Sequence, residues 1–300
     1  MKPNASVVKA MVDRAVTAVT GEATVGPAWR RLVTTQDVVG LKVFSPPGPN
    51  SGTRAAVVGA IIEGLLSAGV RSTNIVIWDR EETDLRLAGF MALGRRYQVR
   101  VAGSLQRGFD AETSYESSLL GNLVWGDLEF GTTGKGVGRK SHVSRLLTRE
   151  VTKLINIAPL LNHNQAGVSG VLYSLASGSV DNFVRFESDR ERLATAIPEI
   201  YALPILSDRV VLNVTDALLC QYEGGDRGLL HYSTVLNEIR MSRDPVALDA
   251  LSLEELARQR KATSAPTVKG NQELYDNAAL LELGVADLKK IQVRRITGVE

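Results

Sequence analysis

Val38–Asp79, VVGLKVFSPPGPNSGTRAAVVGAIIEGLLSAGVRSTNIVIWD, decides the fold class. The run Val38 to Phe44 is short and β-rich, and Ser45-Pro46-Pro47-Gly48-Pro49 after it continues neither helix nor strand. Thr53 to Ala68 reads as a helix with Ala56, Val57, Ala60, Ile61, Gly64 and Leu65 on one side and Gly69 just past its end. Asn74 to Trp78 is the next strand. Strand, helix and strand within about 40 residues make a βαβ unit with parallel strands and a right-handed crossover.

Upstream, Val8, Met11, Val12, Ala15 and Val19 form one helical face before Gly21. Downstream, Glu81 to Glu150 is rich in Gly, Ser and charge. It suggests a helix near Leu85–Leu93, a strand at Gln98–Ala102 and long loops. Regular pattern returns at Thr152–Gly170, TKLINIAPLLNHNQAGVSG. There a buried strand (Leu154–Ile157) breaks at Pro159, delivers Asn162-His163-Asn164 into a loop and ends in the turn Gly167-Val168-Ser169-Gly170. Helices near Val171–Leu175 and Arg190–Ile200 follow, then strands at Arg209–Val214 and Thr234–Met241. Asp244-Pro245 is a helix start, since the Asp accepts from free N–H groups and the Pro wastes no donor in the first turn. Helices over Val246–Lys261 and Gln272–Leu283, separated by a polar linker (Ala262–Gly270), precede a closing strand at Ile291–Ile296. The alternation predicts an α/β fold, a mostly parallel sheet with helices on both faces in Rossmann-like layers. Residues 1–34 read as an N-terminal helical arm and 35–300 as a single α/β domain, with a sub-domain break near 103–150.

Composition narrows the function classes. The chain has 300 residues, 44% apolar and 23% charged, with a net charge of +2. No basic block is paired with an aromatic platform, so nucleic acid is not an expected partner, whereas a small-molecule ligand is. No apolar run reaches the ~18 residues of a membrane span. Cys220 is the only cysteine, which rules out an internal disulfide and an iron–sulfur cluster ligated by this chain alone. Its neighbours Leu218 and Leu219 mark it as a packed thiol rather than a nucleophile. The N-terminus has no continuous apolar signal core. An exported protein whose leader has been removed and a cytoplasmic protein fit equally, and the oligomeric state is not legible.

Four strand ends carry the chemistry. Lys42 lies in the first strand, Asp79 follows the second, His163 follows the third and Asp216 the fourth. In a parallel sheet these ends share one edge, where open α/β folds hold ligands. Such a pocket could bind a carboxylate or phosphate through Lys42, or a hard cation through Asp79 and Asp216 with His163 as third ligand. Each Asp also suits a plain turn or helix cap. Asn162, Asn164, Gly167, Ser169, Gly170 and Asp249 complete the candidate ligand-binding set. Gly131–Lys140, glycine-rich with three cations and followed by His142, lacks phosphate-loop spacing and reads as a surface loop. Tyr222–Gly228, followed by His231 and Tyr232, is a polar loop placed to act as a lid.

In this order, Val39-Gly40-Leu41-Lys42-Val43, Ile75–Arg80, Thr152–Asn156, His163–Gly170, Asp216, Asp244–Asp249 and Leu283-Gly284 resemble the Domain of Unknown Function 362 family over roughly Val7 to Ile296. The resemblance implies an α/β fold, some members with a twin-arginine leader and some described as iron–sulfur proteins, and no defined reaction. The chain departs from the family pattern at three places. Phe44 stands where Asn is usual, Leu161-Asn162 where a Lys precedes the histidine, and Tyr173 where a second Lys is expected. An anion site built on those lysines in relatives has no counterpart here.

Two functional readings follow. The first is an enzyme of redox or small-molecule metabolism, with His163 as acid–base group or metal ligand, Lys42 as electrostatic partner and Asp79 as a catalytic carboxylate. The second is a non-catalytic binding or accessory protein for a small anionic ligand or a protein partner.

Overall fold

The computed structural model describes residues 3–132, 134, 136–225, 227–265 and 270–298. In chain order the helices are α1 (Ala5–Thr20), α2 (Val25–Arg30), α3 (Gly48–Ser51), α4 (Ala55–Ser67), α5 (Glu82–Leu87), α6 (Phe90–Tyr97) and α7 (Ser104–Arg107). They continue with α8 (Val171–Ser179), α9 (Val184–Glu187), α10 (Arg190–Tyr201), α11 (Pro204–Ser207), α12 (Pro245–Ala262) and α13 (Gln272–Leu280). The strands are β1 (Val39–Val43), β2 (Ile75–Asp79), β3 (Arg100–Gly103), β4 (Phe109–Asn122), β5 (Val137–Ser144), β6 (Lys153–His163), β7 (Gly167–Val168), β8 (Val210–Gln221) and β9 (Ser233–Ser242).

The chain is a mixed α/β protein around a mostly parallel sheet ordered β3-β2-β1-β6-β8-β9, with β7 paired to β6. β3, β2, β1, β6 and β8 run parallel, and β9 closes the far edge antiparallel to β8. The sequence-defined βαβ unit is β1-α4-β2, and it puts both strands next to each other in parallel register.

A central parallel strand is covered on both faces, so each of its residues is buried. β1 is buried along its whole length. Its odd positions Val39, Leu41 and Val43 join Ile75, Ile77, Ile155 and Ile157 in a core closed by α1, α2, α4 and α6. The opposite face carries Val76, Trp78 and Leu154 beneath α8 and α10. α1, capped by the Asn4 side chain and ended by Gly21 at φ 74°, contributes Val8, Val12 and Val16 to the first core.

Five expectations about elements need correction. Pro159 does not end its strand. β1 pairing stops at Val43↔Ile157 and the β8 register shifts between Pro159 and Leu160, so the missing N–H falls at an irregularity. His163 and Asn162 are therefore the last residues of β6 rather than loop residues. β8 runs on to Gln221, which puts Asp216 inside the strand, not after it. The expected long loops of 103–150 include the β4–β5 hairpin, a sheet of its own, whose Ser- and Glu-rich strand β4 is only partly buried and so shows weak alternation. Ile291–Ile296 joins no ladder among the described residues. Val293 finds no core, and Thr297 O accepts a hydrogen bond from Arg14 Nη1 at 3.1 Å.

Candidate functional site: the C-terminal edge of the sheet

Register aligns Trp78, Lys42, Asn156 and Asn213 in one row across β2, β1, β6 and β8. Aligned residues share a face, so this row lies under α8. Lys42 is 0% exposed. Its Nζ donates to Asp79 Oδ1 at 2.8 Å, Ser174 Oγ at 3.0 Å and the Val43 carbonyl at 2.7 Å. An ammonium has three donors, and all three are used. Burial pulls the Lys42 ammonium below its ordinary range, while the Asp79 carboxylate opposes that shift. Asp79 is equally occupied, because it also accepts from Arg80 N, Ser45 N and Ser45 Oγ. Asn156 Nδ2 donates to Val171 O at 2.7 Å and to Asn213 Oδ1 at 3.2 Å, and Tyr201 OH reaches the same oxygen. The row anchors α8 on the sheet, and Lys42 spends all its donors inside the fold, whereas Trp78 Nε1 and Asn156 Oδ1 are buried with no hydrogen-bond partner among the described residues.

Asp216 belongs to a second closed set. Its Oδ1 accepts from Arg54 Nη1 and its Oδ2 from Arg54 N, each at 2.9 Å, and Arg54 Nη2 donates to Asn50 O at 2.7 Å. This pair fixes the proline-rich loop after β1 against the irregular middle of β8. Asp249 forms a third set. Both its oxygens accept N–H groups at the start of α8, Val171 at 2.8 Å and Leu172 at 2.9 Å. Gly170 is required there, since a Cβ would overlap the Asp249 carboxyl. Burial pushes the Asp249 carboxyl up to about 7 against those two hydrogen bonds. Ser169 is buried, with no hydrogen-bond partner for its hydroxyl among the described residues.

His163 ends β6 with its ring against Tyr173, centroids 4.3 Å apart. Its Nδ1 accepts from Ala166 N at 2.9 Å and Gln165 N at 3.3 Å, so the neutral ring carries its proton on Nε2. Gly167, at φ 91°, lets the turn come back to pair with His163. The structure thus brings Lys42 and Asp79 together, and it places Asp216, Asp249 and His163 in separate sets. Among the described residues no group of three His, Cys, Asp or Glu side chains is arranged to hold a metal, so Asp79, His163 and Asp216 do not form one ligand set. Cys220 is buried, and its thiol is pushed up to about 12 by that burial, which leaves it inert. His142 sits in β5, with Asp181 Oδ2 3.6 Å from its Nδ1. Lys135 of the glycine-rich stretch lies outside the described residues, as do Asp226 and 266–269 of the polar loop and linker.

An open cleft of about 620 Å³ lies beside these sets, where β6 and β8 end. Asn164 follows β6, Tyr222 to Tyr232 connect β8 to β9, and Thr263 follows α12. Asn162 holds the junction, since its Oδ1 accepts from Gly225 N at 3.0 Å and its Nδ2 donates to Asn164 Oδ1 at 3.2 Å. The buried Gln221 amide templates the loop, donating to Glu223 O and Arg227 O and accepting from Leu229 N. Glu223 in the wall is paired with Arg260 at 2.9 Å. Arg227 is exposed and makes no ion pair among the described residues. Sequence reasoning flagged Asn162, Asn164 and the loop Tyr222–Gly228. It missed Thr263 and the Glu223–Arg260 pair, which join segments far apart in the chain.

The fold and its edge cleft define an α/β protein with a parallel sheet and a polar crevice at the strand ends. The chain belongs to the family described as Domain of unknown function (DUF362), which matches residues 39–254. No curated protein matches the sequence. Among the described residues, no helix is long and apolar enough to cross a membrane.

Proposed function

We propose that this protein binds a small anionic molecule in the cleft at the C-terminal edge of its sheet. One observation carries the reading. The wall's carboxylate, Glu223, is neutralised by Arg260, which leaves Arg227 as the uncompensated charge among the described lining residues. A guanidinium presents a planar fork suited to carboxylate or phosphate oxygens. The Asn164 carboxamide adds a polar group to the lining, the Thr263 hydroxyl already donates to Gln259 O at 2.9 Å, and the cleft's volume is of ligand size. Strand ends of a parallel sheet are the usual place for such a crevice.

An enzyme built on Lys42 and Asp79 has less support, because their donors and acceptors are consumed within the fold. The test is a thermal-shift panel of phosphorylated and carboxylated metabolites on the wild-type chain and on Arg227→Gln. Ligand-dependent stabilisation that the variant loses supports the reading. No stabilisation by any anion, or equal stabilisation of the variant, removes it.

A further inference from the structure

Tyr222 and Tyr232 face each other across the base of the β8–β9 connection, where Tyr222 N donates to Tyr232 O at 2.9 Å. Their rings stand edge to face with centroids 6.3 Å apart, and both line the cleft. His231 braces the second ring, 4.1 Å from it. Tyr222 is buried, whereas Tyr232 remains 40% exposed. A half-exposed aromatic ring held by two others has already lost its conformational freedom in the unliganded fold. Further stacking on it therefore costs little entropy.

We propose that the molecule taken by this cleft carries a planar unsaturated ring beside its acid group. The ring adds to the Tyr222–Tyr232 wall, whose second ring His231 braces, while the acid meets Arg227. This rests on the anion-binding reading above and extends it to a ligand class, aryl or heteroaryl carboxylates and phosphates. Plain hydrophobicity would not select such a ring, because Leu229 and Ala265 offer aliphatic surface in the same cleft. What separates the two is the π-face, which an aromatic wall favours and a saturated ring lacks.

The experiment uses the full chain and four probes in two matched pairs: benzoate with cyclohexanecarboxylate, and phenyl phosphate with cyclohexyl phosphate. Affinities are read by NMR titration. Within at least one pair the aryl probe should bind roughly 3- to 10-fold tighter than its saturated partner, the range of an aromatic pair contact. Tyr232→Leu should bring that ratio to about twofold or less, and Tyr232→Phe should keep it. Arg227→Gln should weaken both members alike. Equal binding of saturated and aryl probes overturns the ring inference and leaves the anion site standing. Aryl preference that survives Tyr232→Leu overturns its placement on this wall. Binding of none of the four overturns both.

Discussion

Asp249 on α12 accepts the Val171 N–H that opens α8, at 2.8 Å and across 78 residues of chain. The carboxylate does for α8 what its own N-cap Gly170 cannot, because glycine has no side chain to satisfy the first free donors. The arrangement has a pH consequence. Burial raises the folded-state value to about 7, so the folded protein holds this proton more tightly than the unfolded chain does. The stability linked to it is fully present below about pH 4 and is lost as pH rises to about 7, on the order of 4 kcal/mol in all. Asp249→Asn keeps one acceptor and abolishes the titration. Urea unfolding between pH 4.5 and 8 should therefore show a flatter profile for the variant, and identical slopes would refute the assignment.

The Lys42–Asp79 pair is a structural clamp between adjacent strands. Removing either partner leaves the other charged and buried. Lys42→Met and Asp79→Asn should each cost about 3–5 kcal/mol of unfolding free energy. The double variant should cost less than their sum, because one stranded charge is not replaced by a second. A double-mutant cycle by chemical denaturation measures this, and a coupling energy near zero would show that the pair contributes nothing.

Gly178 lies on α8 above the same lysine, and a Cβ there would overlap Lys42 Cε and come 2.9 Å from Nζ. Gly178→Ala gains helix propensity yet forces α8 off the sheet. The net effect should be a loss of about 1–3 kcal/mol, read from the denaturation midpoint. Gly21→Ala, with nothing near its Cβ, serves as the comparison for backbone strain alone, since that residue sits at φ 74°.

How much of this was written in the sequence differs from residue to residue. The βαβ unit was legible because Val38–Phe44 is a β-rich run interrupted only by Gly40 and Lys42, Ile75–Trp78 is a continuous apolar run, and the Pro-Pro-Gly-Pro stretch punctuates the first. Asp244 was legible as a cap for the same local reason, and its side chain accepts from Ala247 N at 2.8 Å. The strand ends were harder to read. Lys42 and Asp79 were rightly placed on neighbouring strands, yet sequence cannot show that Ser45, Ser174 and Arg80 would fill their remaining hydrogen bonds. Pro159 misled, because a proline reads as a strand end unless the register irregularity beside it is known. The cleft needed tertiary contacts, since Arg260 and Glu223 are joined only when α12 folds against the β8–β9 connection.

That last contact yields the sharpest prediction about binding. Arg260 is nearly buried and holds Glu223 in the cleft wall at 2.9 Å. Arg260→Met keeps the aliphatic bulk and frees the carboxylate to engage Arg227 or to repel an incoming anion. Affinity for benzoate should fall roughly two- to fivefold, the size of a partly screened charge interaction. The effect should shrink at high salt. Adding Glu223→Gln to the same chain removes the freed charge and should restore binding to near the wild-type value. If the double variant binds as poorly as Arg260→Met alone, Arg260 acts by shaping the loop rather than by neutralising Glu223. The charge balance assigned to the cleft would then be wrong.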